Sequence, residues 1–299
     1  MYSFSRSAGT SLRDRFWPNR KRPPLYEGTL LDDLLFGRPI NGILRVVRFV
    51  GRHRRVRSRG TSVIIVNYNT RHLLESVLQA VEYFSPDDTE LIVVDNDSSD
   101  GSREWLRGRP FGCRPVFLPF NIHHGRALDV GIALSRSPIV VTLDSDAFPY
   151  SKEWLPILET PIREQGMWAS GMWGKRDRLH PACAAFRRDR LFETKMSFAG
   201  FWLDDVPQDS RVWGRDMWDV GELLFHRLGA ENVQLFPVRP TTLRGVEMEE
   251  CVFHLEGGTT VDAWYGGDKD GSFEARWSLA VNELLNYGSP ESAGESLRG

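Results

Sequence analysis

Two carboxylates one residue apart, Asp144 and Asp146, stand immediately after the short, largely apolar run of residues 139–143. A carboxylate is a hard oxygen donor. A pair at this spacing can reach one divalent cation together, or the cation with one member and a ligand hydroxyl with the other. The run before it, Ile-Val-Val-Thr-Leu, is rich in β-branched residues and shows no alternation with polar ones, which is the pattern of a parallel strand buried on both faces. Ligands of open α/β sheets bind beyond the carboxyl ends of the strands, so an acidic pair delivered there is placed for chemistry. Asp and Ser also favour simple turns after strands. The triplet alone does not choose between the two uses, and the surrounding elements have to.

Those elements are regular from residue 61 onward. Residues 62–66 (SVIIV) predict a buried strand, followed by a polar turn at 67–70 and a helix with Leu73, Leu74, Val77, Leu78 and Val81 on one face. Residues 90–94 (ELIVV) predict a second buried strand that ends in the acidic, turn-rich stretch 95–102 and a short helix through Trp105. A third strand is expected over 114–118, a helix in the segment 121–137, and then the strand that carries the acidic pair. Strand and helix in strict alternation is the signature of parallel βαβ units. The stretch 95–102 has the opening spacing of an EF-hand loop, but Asp100 stands at the sixth position in place of Gly and Leu106 at the twelfth in place of Glu. That reading fails.

Composition sets the frame. With 299 residues, 41% hydrophobic and 26% charged, the chain is an ordinary globular one with room for one large α/β domain and appendages. The net charge of −2 conceals an asymmetry: residues 1–60 carry 14 Lys and Arg against 4 Asp and Glu, a balance of +10, so the remaining residues sum to −12. A basic arm on an acidic body predicts contact with something anionic, a membrane surface, a polyanion or a partner's acidic patch, through the stretch Arg45–Arg59, unless it is simply a soluble tail. Within it, residues 43–56 can form a basic amphipathic helix, while Phe49 is the only aromatic available to stack a base. Residues 1 to about 35 read as an extended or partly disordered lead-in. Cys113, Cys183 and Cys251 are widely spaced with no CxxC pair, which predicts neither a disulfide framework nor a structural zinc site and fits a reducing cytoplasm. No run approaches the roughly 18 apolar residues of a membrane span, and no secretion signal is apparent. The expectation is a cytoplasmic protein, peripheral to a membrane if the arm binds one.

Six segments, in order, resemble the nucleotide-sugar glycosyltransferases of the GT-A fold, particularly family 2: residues 63–70 (VIIVNYNT), 90–102 (ELIVVDNDSSDGS), 121–137 (NIHHGRALDVGIALSRS), 140–148 (VVTLDSDAF), 182–191 (ACAAFRRDRL) and 218–228 (WDVGELLFHRL). The resemblance covers about residues 61–255. It implies a GT-A, Rossmann-like α/β fold with a mostly parallel sheet flanked by helices, spanning 61–288, with the basic extension 1–60 before it and a disordered tail 289–299 after it. It also implies a donor, most simply a UDP-sugar, and a divalent cation, Mn²⁺ or Mg²⁺. By the same resemblance Asp146 ligates the metal, Asp144 meets the ribose or the metal through water, and His254 is a third metal ligand. Asn67, Tyr68 and Asp95 belong to the site of the nucleotide base, and Gly125 and Arg126 to the loop that approaches the nucleotide-sugar. Asp219 matches the base that takes the proton of the acceptor hydroxyl in inverting relatives, although Trp218-Asp219 stands where Glu-Asp is common.

Each of these positions has a plainer use: Asp219 and Asp95 as caps, His254 as a hydrogen-bonded residue at a strand end. His123 and His124 are assigned no role. Residues 167–175 and 198–205, rich in Trp, Gly and Phe, are expected to shape an acceptor site, with Trp154 and Trp173 in the core and Trp202 and Trp213 beside the acidic loops. The glycines of 256–260 and 265–268 suggest a flap, and 273–287 a terminal helix. Three other functions stay open: a retaining enzyme on this fold, a nucleotidyltransferase, against which the Gly-free turn 67–70 argues, and a non-catalytic module that binds a nucleotide-sugar. The sugar and the acceptor are not legible.

Overall fold

The computed structural model describes residues 38–174, 178–193, 197–198, 220, 222–243, 245–255 and 272–285. Its centre is a seven-stranded sheet in the order β3-β2-β1-β4-β7-β6-β8. Strands β1 (Thr61–Asn67), β2 (Glu90–Asp95), β3 (Arg114–Phe117) and β4 (Ile139–Leu143) run parallel. Strand β7 (Arg178–Arg187) is antiparallel to β4 and to β6 (Ala169–Gly174), and β8 (Val233–Phe236) is parallel to β6. The mixed but mostly parallel sheet is the α/β architecture expected.

Every residue of β1, β2 and β4 is buried because helices cover both faces. Val63 and Ile65 point to one side, into a core with Leu73, Leu74, Val77 and Leu78 of helix α2 (Arg71–Phe84). Ile64 and Val66 point to the other, against Ala127, Leu128 and Ile132 of helix α4 (His124–Leu134), with the short helix α3 (Ser102–Arg107) lying between them in the chain. This period-two division is why the strands show no regular alternation of apolar and polar positions in the sequence. Thr142, the polar residue inside β4, donates its hydroxyl to the Pro181 carbonyl at 2.8 Å and so is satisfied without water. Gly131 lets α4 lie close on β1, since a Cβ there would fall 2.4 Å from the Ile64 side chain.

A second, antiparallel sheet, β5-β11-β10-β9, begins where β4 ends. It consists of β5 (Ala147–Pro149), β9 (Val238–Pro240), β10 (Val246–Met248) and β11 (Val252–His254). Helix α5 (Trp154–Glu164) returns the chain to the main sheet, and its Trp154 is fully buried, as expected. Trp173 is not: at 41% exposure it lies outside the core, near the end of β6, where pairing with β8 has ended and pairing with β7 continues. Within the stretch 167–175, expected to shape an acceptor site, residues 169–174 form a strand paired on both sides with β7 and β8. The small residues Ala169, Ser170 and Gly171 suit that packed position. The chain continues through helices α6 (Arg188–Glu193) and α7 (Glu222–Leu228), and helix α8 (Ser272–Leu284) closes the first core with Phe273, Trp277 and Ala280. Trp277 meets Phe148 of β5 edge to face, with centroids 5.2 Å apart.

The basic N-terminal stretch contributes helix α1 (Arg38–Arg52), whose Ile40 and Leu44 join the same core as α4. Arg48 pairs with the buried Asp129 of α4 at 3.0 Å. Arg188, 3% exposed, donates to the Gly51 carbonyl at the end of α1 (2.8 Å) and to the Ser135 hydroxyl after α4 (2.9 Å). Its pKa is pushed down to about 10 by burial, and by Arg54 nearby. The three cysteines are buried and free. Among the described residues no helix is long and apolar enough to cross a membrane.

One ionic knot ties the lower edge of the sheet. The buried Glu90 accepts from the Ser62 hydroxyl (2.7 Å), the Arg136 amide (2.9 Å) and the Arg136 Nε (3.0 Å), with the Arg114 guanidinium 3.3 Å away. Burial alone would raise its pKa, but these donors together outweigh that and hold it below the ordinary value of 4.5. A depressed folded pKa contributes stability that is present above the unfolded value and lost as pH falls through the folded one. The urea midpoint is therefore expected to fall as pH drops below about 4.5, and Glu90→Gln to lower the unfolding free energy by about 1–2 kcal/mol at neutral pH while flattening that acid limb. An acid limb of unchanged depth in the variant would place the dependence elsewhere.

Candidate functional site

The carboxyl end of β4 is where the two sheets meet. Strand β7 takes the Asp144 amide onto the Ala182 carbonyl (2.9 Å), and the Ala147 amide turns back to the Asp144 carbonyl (3.1 Å). At Ala147 the chain enters the second sheet as β5, paired to β11 so that Ala147 lies opposite His254. The Leu255 amide donates to the Asp146 carbonyl at 3.0 Å, which locks the two segments in that register. The strand-to-strand crossing thus sets His254, distant in sequence, directly beside Asp146.

The side chains converge accordingly. One donor atom from each of Asp144, Asp146 and His254 lies within 4.8 Å of the other two. His254 Nε2 is 3.5 Å from Asp146 Oδ1, with the side chains of Asp146 and His254 only 2% and 6% exposed, whereas Asp144 keeps 17% of its side chain open to solvent. Two further imidazoles stand close. His124, the first residue of α4, has Nε2 3.3 Å from Asp144 Oδ1. His180 of β7 has its ring 5.4 Å from that of His254, and its Nδ1 accepts the Ala182 amide at 3.1 Å, so any proton it carries in the neutral state is on Nε2. Burial pushes the Asp144 carboxyl up, but the hydrogen bond and charge of His124, with the charges of His254 and His180, outweigh it and hold the pKa at about 2. The group is a carboxylate at neutral pH, the form in which it can ligate a metal. Two carboxylates and an imidazole within one cation's reach are a donor set suited to Mn²⁺ and tolerated by Mg²⁺.

The corner expected for a nucleotide base is built differently from the sequence reading. Asn67 and Asp95 end neighbouring strands in register, and neither has exposed surface. Asn67 Nδ2 donates to Asp95 Oδ2 and to the Ser98 hydroxyl, both at 2.9 Å, and its Oδ1 accepts from Thr70 at 2.7 Å. Asp95 Oδ1 accepts from the Ser98 amide and from Arg103 Nη1, both at 3.1 Å. The pair thus braces the loops after β1 and β2, and Tyr68, half-buried, is the member of the expected trio with accessible surface. Gly125 and Arg126 are buried in the first turn of α4, next to His124, and Arg126 is 4% exposed. His123, in the left-handed region at φ 76°, has its pKa pushed down to about 3 by burial and by the charge of Arg126.

Asp219 lies outside the described residues, as do Trp202, Trp213 and the two glycine stretches expected to form a flap. Two residues that sequence reasoning left without a role have one in the geometry. His124 reaches Asp144, and the signal that could have found it is its place at the start of a helix aimed at a strand end. Arg103, one residue into α3, holds both Asp95 and Asp97 (3.1 and 3.4 Å), the kind of cation that an acidic stretch such as 95–100 calls for.

Residues 62–190 match the family model described as Glycosyl transferase family 2, a range that contains Asp95, Gly125, Arg126, Asp144 and Asp146 and ends before Asp219 and His254. Among curated proteins, an uncharacterised glycosyltransferase of Nostoc sp. is 33% identical over 89 residues, which is 28% of this chain and 27% of that protein. The chain thus matches about a quarter of that relative's length. Among solved structures, residues 1–349 of S. aureus TarS align with a TM-score of 0.47 and 16% identity over 80% of this chain and 75% of that one. Glucosyl-3-phosphoglycerate synthase from Mycobacterium tuberculosis, solved with Mn²⁺, UDP-glucose and glycerol 3-phosphate, aligns with a TM-score of 0.44 and 22% identity over 66% of this chain and 73% of that one.

Proposed function

We propose that this chain is a glycosyltransferase that moves a sugar from a nucleotide-diphosphate donor, a UDP-sugar in the first instance, to an acceptor hydroxyl, with Asp144, Asp146 and His254 as ligands of Mn²⁺ or Mg²⁺. The observation that carries this reading is the meeting of those three donors within 4.8 Å at the carboxyl end of β4, inside or beside the segment that matches the family 2 model. A cation bound there supplies positive charge to the diphosphate as the leaving group gathers negative charge.

The protein's own groups do the remaining work. Asp146 and His254 are held from both sides by backbone pairing, so the cation's ligands are preorganised rather than recruited. Asp144, more open, is the member that can also meet the ribose. His124 keeps the Asp144 carboxylate ionised and oriented. Tyr68 offers the base its accessible face, on loops braced by Asn67 and Asp95, and Gly125 with Arg126 stands toward the phosphates. Asp219 takes the proton of the acceptor hydroxyl as its oxygen bonds to the anomeric carbon, and the bond from that carbon to the diphosphate oxygen breaks on the opposite face, inverting the anomer.

The test is release of nucleotide from a panel of nucleotide-sugars, with Mn²⁺ and with a chelator. Metal-dependent UDP release from at least one UDP-sugar is the expected result, and transfer to a found acceptor should give the inverted anomer by NMR. Metal-dependent binding of UDP-sugars without any release would favour a binding module, and a retained anomer would remove Asp219 from its role as base. No binding and no release with any nucleotide-sugar would overturn the reading.

A further inference from the structure

Helix α1 has two apolar faces, and the described residues cover only one of them. Inward, Ile40 and Leu44 are buried against α4, and Gly51 passes so near that a Cβ there would lie 2.7 Å from the Ala133 carbonyl. Outward, Ile43, Val46, Phe49 and Val50 are 60%, 62%, 66% and 58% exposed. Their spacing of three, three and one residues sets them on a single stripe of the helix. Nine large hydrophobic side chains are exposed among the described residues, and five of them, these four and Val56, fall in this one stretch of chain. An apolar patch concentrated in this way marks an interaction surface, since scattered single exposures are the norm.

The charges around the stripe name the partner. Arg45 and Arg52, seven residues apart, line one border of it on the helix, and Arg55, Arg57 and Arg59 follow in the exposed segment after it. Among the described residues none of these five is paired with a carboxylate, whereas Arg48, on the inward side, is spent on Asp129. A second copy docked through the same face would bring like charges together. A nucleic acid would use the arginines and leave the aliphatic stripe in water, with Phe49 alone to stack on a base. A bilayer with anionic headgroups satisfies both halves at once.

We propose that α1 lies in the plane of an anionic membrane surface, with Ile43, Val46, Phe49 and Val50 at the boundary of headgroups and acyl chains and the arginines of residues 45–59 on the lipid phosphates. The inference does not rest on the reading of the catalytic site. It does orient that site: Arg48 stands beside Asp129 and Gly51 beside Ala133, so α1 runs alongside α4 in the same direction. The end of α4 that carries His124 therefore opens along the membrane, within reach of an acceptor held at the surface.

The experiment is co-sedimentation of the full chain with phosphatidylcholine vesicles, with and without phosphatidylglycerol. Binding is expected on the anionic vesicles alone and should weaken as salt is raised. The double variant Phe49→Ser/Val50→Ser, which touches only exposed positions and should keep its melting temperature, is expected to bind at least about tenfold more weakly. Arg55→Glu/Arg57→Glu should lose binding to a similar degree. Three results would overturn the proposal: no binding by the unmodified chain, undiminished binding by the serine variant, which would leave a purely electrostatic contact with a polyanion, or conversion of a dimer to a monomer by that variant with vesicle binding unchanged, which would assign the stripe to a second copy.

Discussion

Asp146→Asn is expected to abolish transfer for practical purposes, lowering kcat by about 100- to 1,000-fold or more, while leaving the fold intact. The scale is that of removing one preorganised contact from a site where negative charge develops. The substitution keeps the shape of a side chain that is 2% exposed, and its backbone carbonyl still receives the Leu255 amide. What it removes is the anionic oxygen 3.5 Å from His254, and with it the ability of the three-residue set to hold a dication. Two controls separate chemistry from folding. The melting temperature without metal should change little, and the rise in melting temperature on adding UDP with Mn²⁺, which reports binding by mass action, should vanish. A variant that retains both the rise and more than a tenth of the activity would remove Asp146 from the site.

The second large effect is structural. Asp129→Ala is expected to cost about 3 kcal/mol, the cost of leaving buried partners of a carboxylate without it. Asp129 is 1% exposed and receives Arg48 Nη1 (3.0 Å), the Phe198 amide (3.2 Å) and the Ser197 hydroxyl, so one carboxylate ties α1 and the segment at 197–198 to α4. The variant should melt several degrees lower, and trypsin should cut after the arginines of residues 45–59 much faster than in the parent, because α1 loses its only carboxylate partner among the described residues and is left with Ile40, Leu44 and the bonds of Arg48 to the Leu191 carbonyl and of Arg188 to the Gly51 carbonyl. Asp129→Asn, which keeps one acceptor oxygen, should fall between the two. Equal stability of all three proteins would mean that α1 is docked without help from the Asp129 carboxylate.

How much of this was legible in the sequence depends on how local the signal was. Strands β1, β2 and β4 could be read because burial on both faces confines their polar residues, Thr142 apart, to the strand ends, and helix α2 because Leu73, Leu74, Val77 and Leu78 repeat at helical spacing. The acidic pair was legible for the same reason, since it follows directly on such a strand. The second sheet was not. Strands of three residues carry no periodicity, and nothing near residue 254 announces that His254 will pair across from Ala147. Its nomination came from resemblance, and the register supplies the physical reason. That residues 169–174 form a strand was not legible, because Gly, Ser and Trp carry little strand signal while the small side chains serve close packing between two strands. His124 and Arg103 were missed because each acts through a neighbour, Asp144 and Asp95, whose position only the fold supplies.

The most direct test of the central claim is anomalous diffraction at the manganese edge from a crystal grown with Mn²⁺ and UDP. One strong peak is expected at the carboxyl end of β4, with oxygen ligands from Asp146 and Asp144 and the imidazole of His254 at bonding distance. A nucleotide bound with no manganese at that point, or a peak elsewhere with His254 turned away, would contradict it.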